Sequence, residues 1–265
     1  MFDSGIGGLT VLHECLVAMP AEDFVYLGDT LRFPYGSRTQ DELHLFARQI
    51  ATFLERTGVK LIVVACNSAT AAALPALQER FETPMIGAVM PGARAAVQSS
   101  RSRRVGVLAT PATVASGSYV RAVHSLDMGV DVYQEACPDL ATYIQEGEVA
   151  SREVLDAVKR YTGPLKQQVV DVVIMGSTHY PHVAPMLQRA MGRGVTLVSP
   201  AAEIALEVEE TLARQGVAQG DDREGEYRFF CTGDVETFRS VGARFLQMPL
   251  ERVERVDPAT LEPRV

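Results

Sequence analysis

The sequence predicts an α/β protein: two pseudo-symmetric α/β domains with mainly parallel sheets and an active site in the cleft between them. Three observations carry this reading. Short apolar, β-branched runs alternate with helix-length segments along the whole chain, the pattern of βα units and parallel sheets. The runs at residues 61–65 and 169–175 are apolar enough to be strands buried on both faces. Each of them delivers a small thiol or hydroxyl residue to a helix start, Cys66-Asn67-Ser68 in one case and Ser177-Thr178-His179 in the other. Pro75/Leu77 and Pro185/Leu187 then follow at similar offsets. Open α/β sheets bind ligands beyond the carboxyl ends of their strands. Cys66 and Ser177 are therefore expected to face one small substrate from opposite sides.

Taken in order, the chain opens on Asp3-Ser4-Gly5-Ile6-Gly7-Gly8 and an amphipathic helix. The glycines allow close backbone approach, and free amides at a helix start can hold an anion. The G-x-G-x-x-G spacing of a dinucleotide loop is absent. The reading preferred is that Asp3 and Ser4 project into a small site while loop amides hold a carboxylate; helix capping by the same two residues fits the local sequence equally. Residues 24–29 read as a second strand, followed by a turn with Pro34 and Gly36 and a helix over 39–57. After the Cys66 strand, residues 84–89 read as another strand, and Pro91-Gly92 as a break and candidate hinge.

The second half begins with a strand at 104–110, then 111–117, a helix carrying Tyr119, and a strand at 129–135. A helix around 139–145 precedes Glu146-Gly147-Glu148, and a longer helix from Ser151 leads to the Ser177 strand. Residues 195–198 read as a strand and 201–214 as a helix returning to the first half. A polar, Gly-rich loop (215–225), a strand (227–234) and a helix (236–246) end the chain. The expected domains are 1–90 plus 203–265, and 91–202.

Composition narrows the function. Hydrophobic content of 47% with 22% charged residues is that of an ordinary globular protein. A net charge of −8 argues against a nucleic-acid or anionic-membrane surface, and Arg101-Ser102-Arg103-Arg104 reads as a solvated loop. No apolar stretch reaches the roughly 18 residues of a membrane span. With no signal-peptide pattern at the start, a cytoplasmic location is expected. Cys15, Cys66, Cys137 and Cys231 contain no C-x-x-C and are expected to be free thiols. No His/carboxylate metal cluster is visible, and Lys60, Lys159 and Lys166 lie away from the strand ends where a Schiff-base lysine is expected. No cofactor and no metal are therefore expected. At a strand-to-helix corner, amides and the helix dipole favour thiolate at Cys66. Such a thiol suits a nucleophile or a general base, and a mirrored second corner suits proton transfer on two faces of one carbon.

Asp3-Ser4-Gly5-Ile6-Gly7-Gly8-Leu9-Thr10-Val11, Gly28-Asp29-Thr30 with Pro34-Tyr35-Gly36, Ala65-Cys66-Asn67-Ser68 and Thr178-His179-Tyr180-Pro181 together resemble glutamate racemase, of the aspartate/glutamate racemase family. The resemblance runs nearly end to end and includes Cys231-Thr232-Gly233-Asp234. It implies a cofactor-independent isomerase interconverting L- and D-glutamate for peptidoglycan, commonly a homodimer. By position, Cys66 becomes the acid/base on one face, assisted by Asp3 and His179, with Glu146 matching a glutamate implicated nearby. Ser4, Tyr35, Gly36, Asn67, Ser68, Thr113 and Thr178, with Asp3 and His179, would bind the substrate; a histidine that merely packs is the plainer reading of His179.

Three departures from the family pattern matter. Ser177 stands where the pattern has its second catalytic cysteine, on the face assigned to the L-glutamate proton. A hydroxyl is a far weaker acid than a thiol, so that half-reaction is expected to be impaired unless His179 acts through Ser177. Ser68 replaces a more usual threonine. Family members also carry several more residues before Phe2, so the strand that positions Asp3 is expected to be weakened. Two alternatives stand beside the racemase: a single-thiol decarboxylase or eliminase of the same superfamily, and a non-catalytic glutamate-binding paralogue.

Overall fold

The computed structural model describes residues 1–146, 149–220 and 222–261. Among them are ten strands: β1 (Phe2–Asp3), β2 (Phe24–Gly28), β3 (Ile62–Val64), β4 (Met85–Gly87), β5 (Arg104–Ala109), β6 (Asp131–Ala136), β7 (Val172–Gly176), β8 (Thr196–Val198), β9 (Tyr227–Cys231) and β10 (Val253–Arg255). They form a six-stranded sheet in the order β10-β9-β2-β1-β3-β4 and a four-stranded sheet in the order β6-β5-β7-β8. Every ladder between them is parallel. Parallel pairing requires crossovers, supplied by helices α1 (Leu9–Ala18), α2 (Gln40–Arg56), α3 (Asn67–Arg80), α4 (Val89–Ser99), α5 (Pro111–Ser116), α6 (Ser118–Leu126), α7 (Leu140–Glu146), α8 (Arg152–Gln167), α9 (Ala184–Met191), α10 (Pro200–Gln215) and α11 (Val235–Leu246).

Local sequence explains most of these boundaries. Thr39 and Glu42 close a capping box at the start of α2. Ser151 and Asp234 cap α8 and α11 through the third residue's amide. Pro111 and Pro200 open α5 and α10 at the position where a missing N–H costs nothing. Residues 169–171 do not extend β7: Val169 adopts φ 51° and is 73% exposed. Asp171 there accepts from the Arg101 and Ser102 amides and the Ser100 hydroxyl instead.

Pro91-Gly92 is not a break. Both residues lie in the first turn of α4, where proline is tolerated, and α4 packs Val89, Ala93 and Ala96 into the core of the second sheet. Positions 90 and 203 thus fall inside α4 and α10. The division of the chain is clearest in the sheets, one built from residues 2–87 and 227–255, the other from 104–198. Between them runs continuous core: Ile6, Leu9 and Val63 from the first half share a cluster with Leu108, Val173 and Tyr180 from the second, and with Ile204 of α10.

Strand β1 has only two residues, yet it sits mid-sheet. It pairs with β2 and β3, Phe2 is fully buried, and the Met1 amino group donates to the Val25 carbonyl at 2.7 Å. Asp3 is thereby delivered to the carboxyl edge of the sheet. Its glycine loop then presses directly on the other half. A Cβ on Gly7 would lie 2.5 Å from the His179 ring and would collide with the Thr178 hydroxyl. Replacing Gly7 by Ala is accordingly expected to lose about 1–3 kcal/mol in urea unfolding, the usual range for overpacking. Gly194→Ala, where nothing lies within 4 Å, should stay within about 0.5 kcal/mol of the unmodified chain.

Candidate active site

The carboxyl ends of β3 and β7 open onto one narrow cleft, whose 390 Å³ include open solvent at its mouth and whose enclosed space is only about 20 Å³, room for about one water. Cys66 lines it from the first sheet and Ser177 from the second. Both are buried, at 4% and 6% exposure. Of the residues singled out in the sequence, Ser4, Tyr35, Gly36, Asn67, Ser68, Thr178 and His179 also line it. Asp3 and Thr113 are fully buried behind this wall. Glu146 is exposed at the last residue of α7 and does not line the cavity; Gly147 and Glu148 lie outside the described residues. The neighbouring Gln145 instead turns toward the site, where its Oε1 meets His179 Nε2 at 2.9 Å.

Asp3 does not project freely. Its Oδ2 accepts from the Gly5 amide at 2.9 Å, and its Oδ1 accepts from the Thr178 hydroxyl at 3.3 Å across the two halves. The loop amides thus hold Asp3's own carboxylate, and Gly8 begins α1 with no side-chain cap. Burial pushes the Asp3 carboxyl up to about 6, with the Gly5 and Gly8 amides and Thr178 pulling the other way. Desolvation of the charged form here outweighs the donors that favour it.

Cys66 caps α3, its sulfur accepting from the Ala69 amide at 3.5 Å. The expected thiolate does not follow. Burial first, and the Asp3 charge second, push the thiol up to about 12, outweighing the donors from Ala69 and Ser4. Desolvation of the charged form wins over one helix terminus. His179 is also held neutral, its imidazole brought down to about 3 by burial and by His182. Its ring stands between Phe33 and Phe245, with centroids 5.5 and 5.7 Å away. Nε2 meets Gln145 Oε1 at 2.9 Å, and the amide N–H of His179 donates to Ser177 Oγ at 3.4 Å. The link from His179 to Ser177 runs through backbone, while the ring faces Gln145 and Thr178.

The remaining walls are rich in hydroxyls and cross-half contacts. Ser68, Thr110 and Thr113 form a triangle of hydroxyls 2.8, 3.0 and 3.4 Å apart. The Tyr119 hydroxyl donates to Asn67 Oδ1 at 2.6 Å, fixing the amide at the start of α3. The turn 33–36 is held from below by Asp29, which accepts from Tyr35, from Arg32 Nε at 2.6 Å and from the Thr232 hydroxyl at 2.8 Å. Phe33, Pro34, Thr110, Pro138, Ala141 and Gly176, none of them singled out as site residues in the sequence, complete the lining. Only their positions beside strand ends could have pointed to them. Among the described residues, no group of three His, Cys, Asp or Glu side chains could hold a metal ion. All four cysteines are free and buried. No described helix is long and apolar enough to cross a membrane.

Asp29→Asn is expected to destabilise the fold by about 1.5–3 kcal/mol, the worth of hydrogen bonds to a charged group. It should also release Tyr35, read as faster proton exchange of the 33–37 amides.

The Asp/Glu/Hydantoin racemase family profile matches residues 10–208. A glutamate racemase of Listeria monocytogenes is 40% identical over 254 residues, covering 96% of each chain. The crystal structure of a glutamate racemase isoform from Bacillus anthracis superposes with a TM-score of 0.93 at 38% identity, covering 97% of this chain and 96% of that one. The Francisella tularensis glutamate racemase, solved in complex with D-glutamate, gives 0.91 at 32% identity, covering 98% and 97%. The chain belongs to the Asp/Glu/Hydantoin racemase family.

Proposed function

We propose that this protein is a glutamate racemase that moves the α-proton of glutamate without a cofactor, between Cys66 on one face and Ser177 on the other. The observation that carries the proposal is the delivery of these two residues, one from each parallel sheet, into a single buried cavity walled by hydroxyls. Near-full-length likeness to glutamate racemases, one of them solved with D-glutamate, supports the substrate.

The roles follow from charge. The start of α3 at Asn67 and Ser68 offers amides and a hydroxyl to a carboxylate, and Ser4, Thr178 and the Tyr35-Gly36 turn offer further donors. The substrate's α-ammonium supplies positive charge beside Asp3, which favours the ionised forms of Asp3 and of the Cys66 thiol alike. Thiolate then takes the α-proton on its face, and proton delivery on the other face falls to the Ser177 hydroxyl, with His179 beside it in the cavity lining and Thr113 acting behind the wall. Glu146, exposed at the rim of α7, would act only from outside. The decarboxylase or eliminase reading is not favoured, since the relatives named above are racemases, and a silent glutamate-binding paralogue has no need of a cavity thiol and Asp3. A cytoplasmic homodimer, whose two domains, one built on the six-stranded sheet and one on the four-stranded sheet, close on glutamate to supply D-glutamate for peptidoglycan, completes the proposal.

Two outcomes test it. Restoring the thiol by Ser177→Cys should raise racemisation, followed by circular dichroism from either enantiomer, by about 10²–10⁴-fold, the usual worth of a matched acid/base. No racemisation by either form would overturn the assignment. Activity should also rise with pH through about 6 as Asp3 ionises, because its raised value leaves the carboxyl neutral below that point. Asp3→Asn should abolish that rise.

A further inference from the structure

One amide oxygen on α7 joins both halves at the rim of the cavity. Gln145 Oε1 accepts from the Ile6 backbone amide at 3.3 Å and meets His179 Nε2 at 2.9 Å. The first contact decides the second. A backbone N–H is only a donor, so the side-chain oxygen, not the nitrogen, must face Ile6. The same oxygen faces the imidazole, and an acceptor there requires His179 Nε2 to carry its proton. In a neutral ring Nδ1 is then the acceptor, and it lies 3.4 Å from the Thr178 hydroxyl, which also reaches Asp3 Oδ1 at 3.3 Å. Thr178 has one proton for two takers, so the tautomer of His179 governs how firmly Asp3 is held. The contact leaves no spare room: a Cβ on Gly5 would lie 2.7 Å from Gln145 Oε1.

We propose that Gln145 is a positioning residue. It fixes His179 as the Nε2–H tautomer, with Nδ1 turned to Thr178 and Asp3, and it latches the glycine loop to the second half. A neutral amide in this place adds no charge to favour an imidazolium. The other titratable groups that face the ring are Asp3, through Thr178, and His182 with Arg244 beyond it. For the reaction itself the proposal rests on the glutamate-racemase reading; the tautomer does not.

The test is nitrogen NMR of the full chain labelled in its histidine rings, with the His179 signals assigned by their loss in His179→Gln. The unmodified chain should show the neutral Nε2–H form from pH 6 to 8; an Nδ1–H form or an imidazolium there overturns the proposal. Gln145→Met, which removes the acceptor, should give a mixture of tautomers and weaken D-glutamate binding by calorimetry about tenfold, one lost hydrogen bond's worth. An unchanged tautomer in Gln145→Met also overturns it. Gln145→Glu keeps an acceptor and adds a charge, so Nε2–H should persist and ring protonation should move up by about 1–3 pH units. If Gln145→Met fails to fold, the unmodified chain and Gln145→Glu still decide the matter. Should the tautomers behave as expected while glutamate fails to bind any form, the substrate reading fails and the positioning role stands.

Discussion

The site depends on how closely the carboxyl ends of two parallel sheets can approach each other. Side chains normally keep packed elements apart, and here glycines remove them at the points of contact. Gly7 lies against Thr178 and His179, and Gly36 against Thr110, where a Cβ would stand 2.7 Å from the threonine Cβ. Such contacts bring Asp3 within reach of Thr178, and Ser68 within reach of Thr110, across the halves. They also narrow the cleft between Cys66 and Ser177 to about 20 Å³ of enclosed space. The chemistry inherits its geometry from backbone approach.

Closeness has an electrostatic consequence. A cavity this buried penalises every charge within it, and each ionisable group around it is moved toward its neutral form. Asp3 goes up to about 6, Cys66 up to about 12 and His179 down to about 3. The site holds its charges in reserve until a zwitterion supplies counter-charges of its own. This arrangement suits proton transfer at carbon, where a base freed from water is stronger. It also sharpens the inequality between the two faces, because a hydroxyl at Ser177 starts from a much weaker acidity than the thiol opposite.

Much of this was legible in the sequence because it was local. Apolar runs placed β2, β3, β5 and β7, and the starts read for α2, α8 and α11 fall within a residue or two of those observed. The strand-end positions of Cys66 and Ser177 pointed to a shared cavity. What the sequence did not disclose was set by tertiary contact. Pro91 looked like a breaker, but one helical turn of context makes it an ordinary first-turn residue. The strand β10 is short and half-exposed, and it exists only because β9 offers it a free edge. The Cys66 corner suggested a thiolate, but burial and the neighbouring Asp3 reverse the sign. Gln145 and Glu146 are adjacent in sequence; which of them turns inward is decided by the phase of α7 against His179 and the glycine loop.

The central claim is that Cys66 and Ser177 serve opposite faces of one α-carbon, unequally. The most direct test is to incubate the unmodified chain with pure D-glutamate and, separately, pure L-glutamate in deuterated water, and to follow loss of the α-proton by NMR. The resemblance assigns the Ser177 face to the L-glutamate proton, so D-glutamate should exchange readily, mostly with retention, and L-glutamate much more slowly. Equal exchange of both enantiomers, or exchange of neither, would contradict this account.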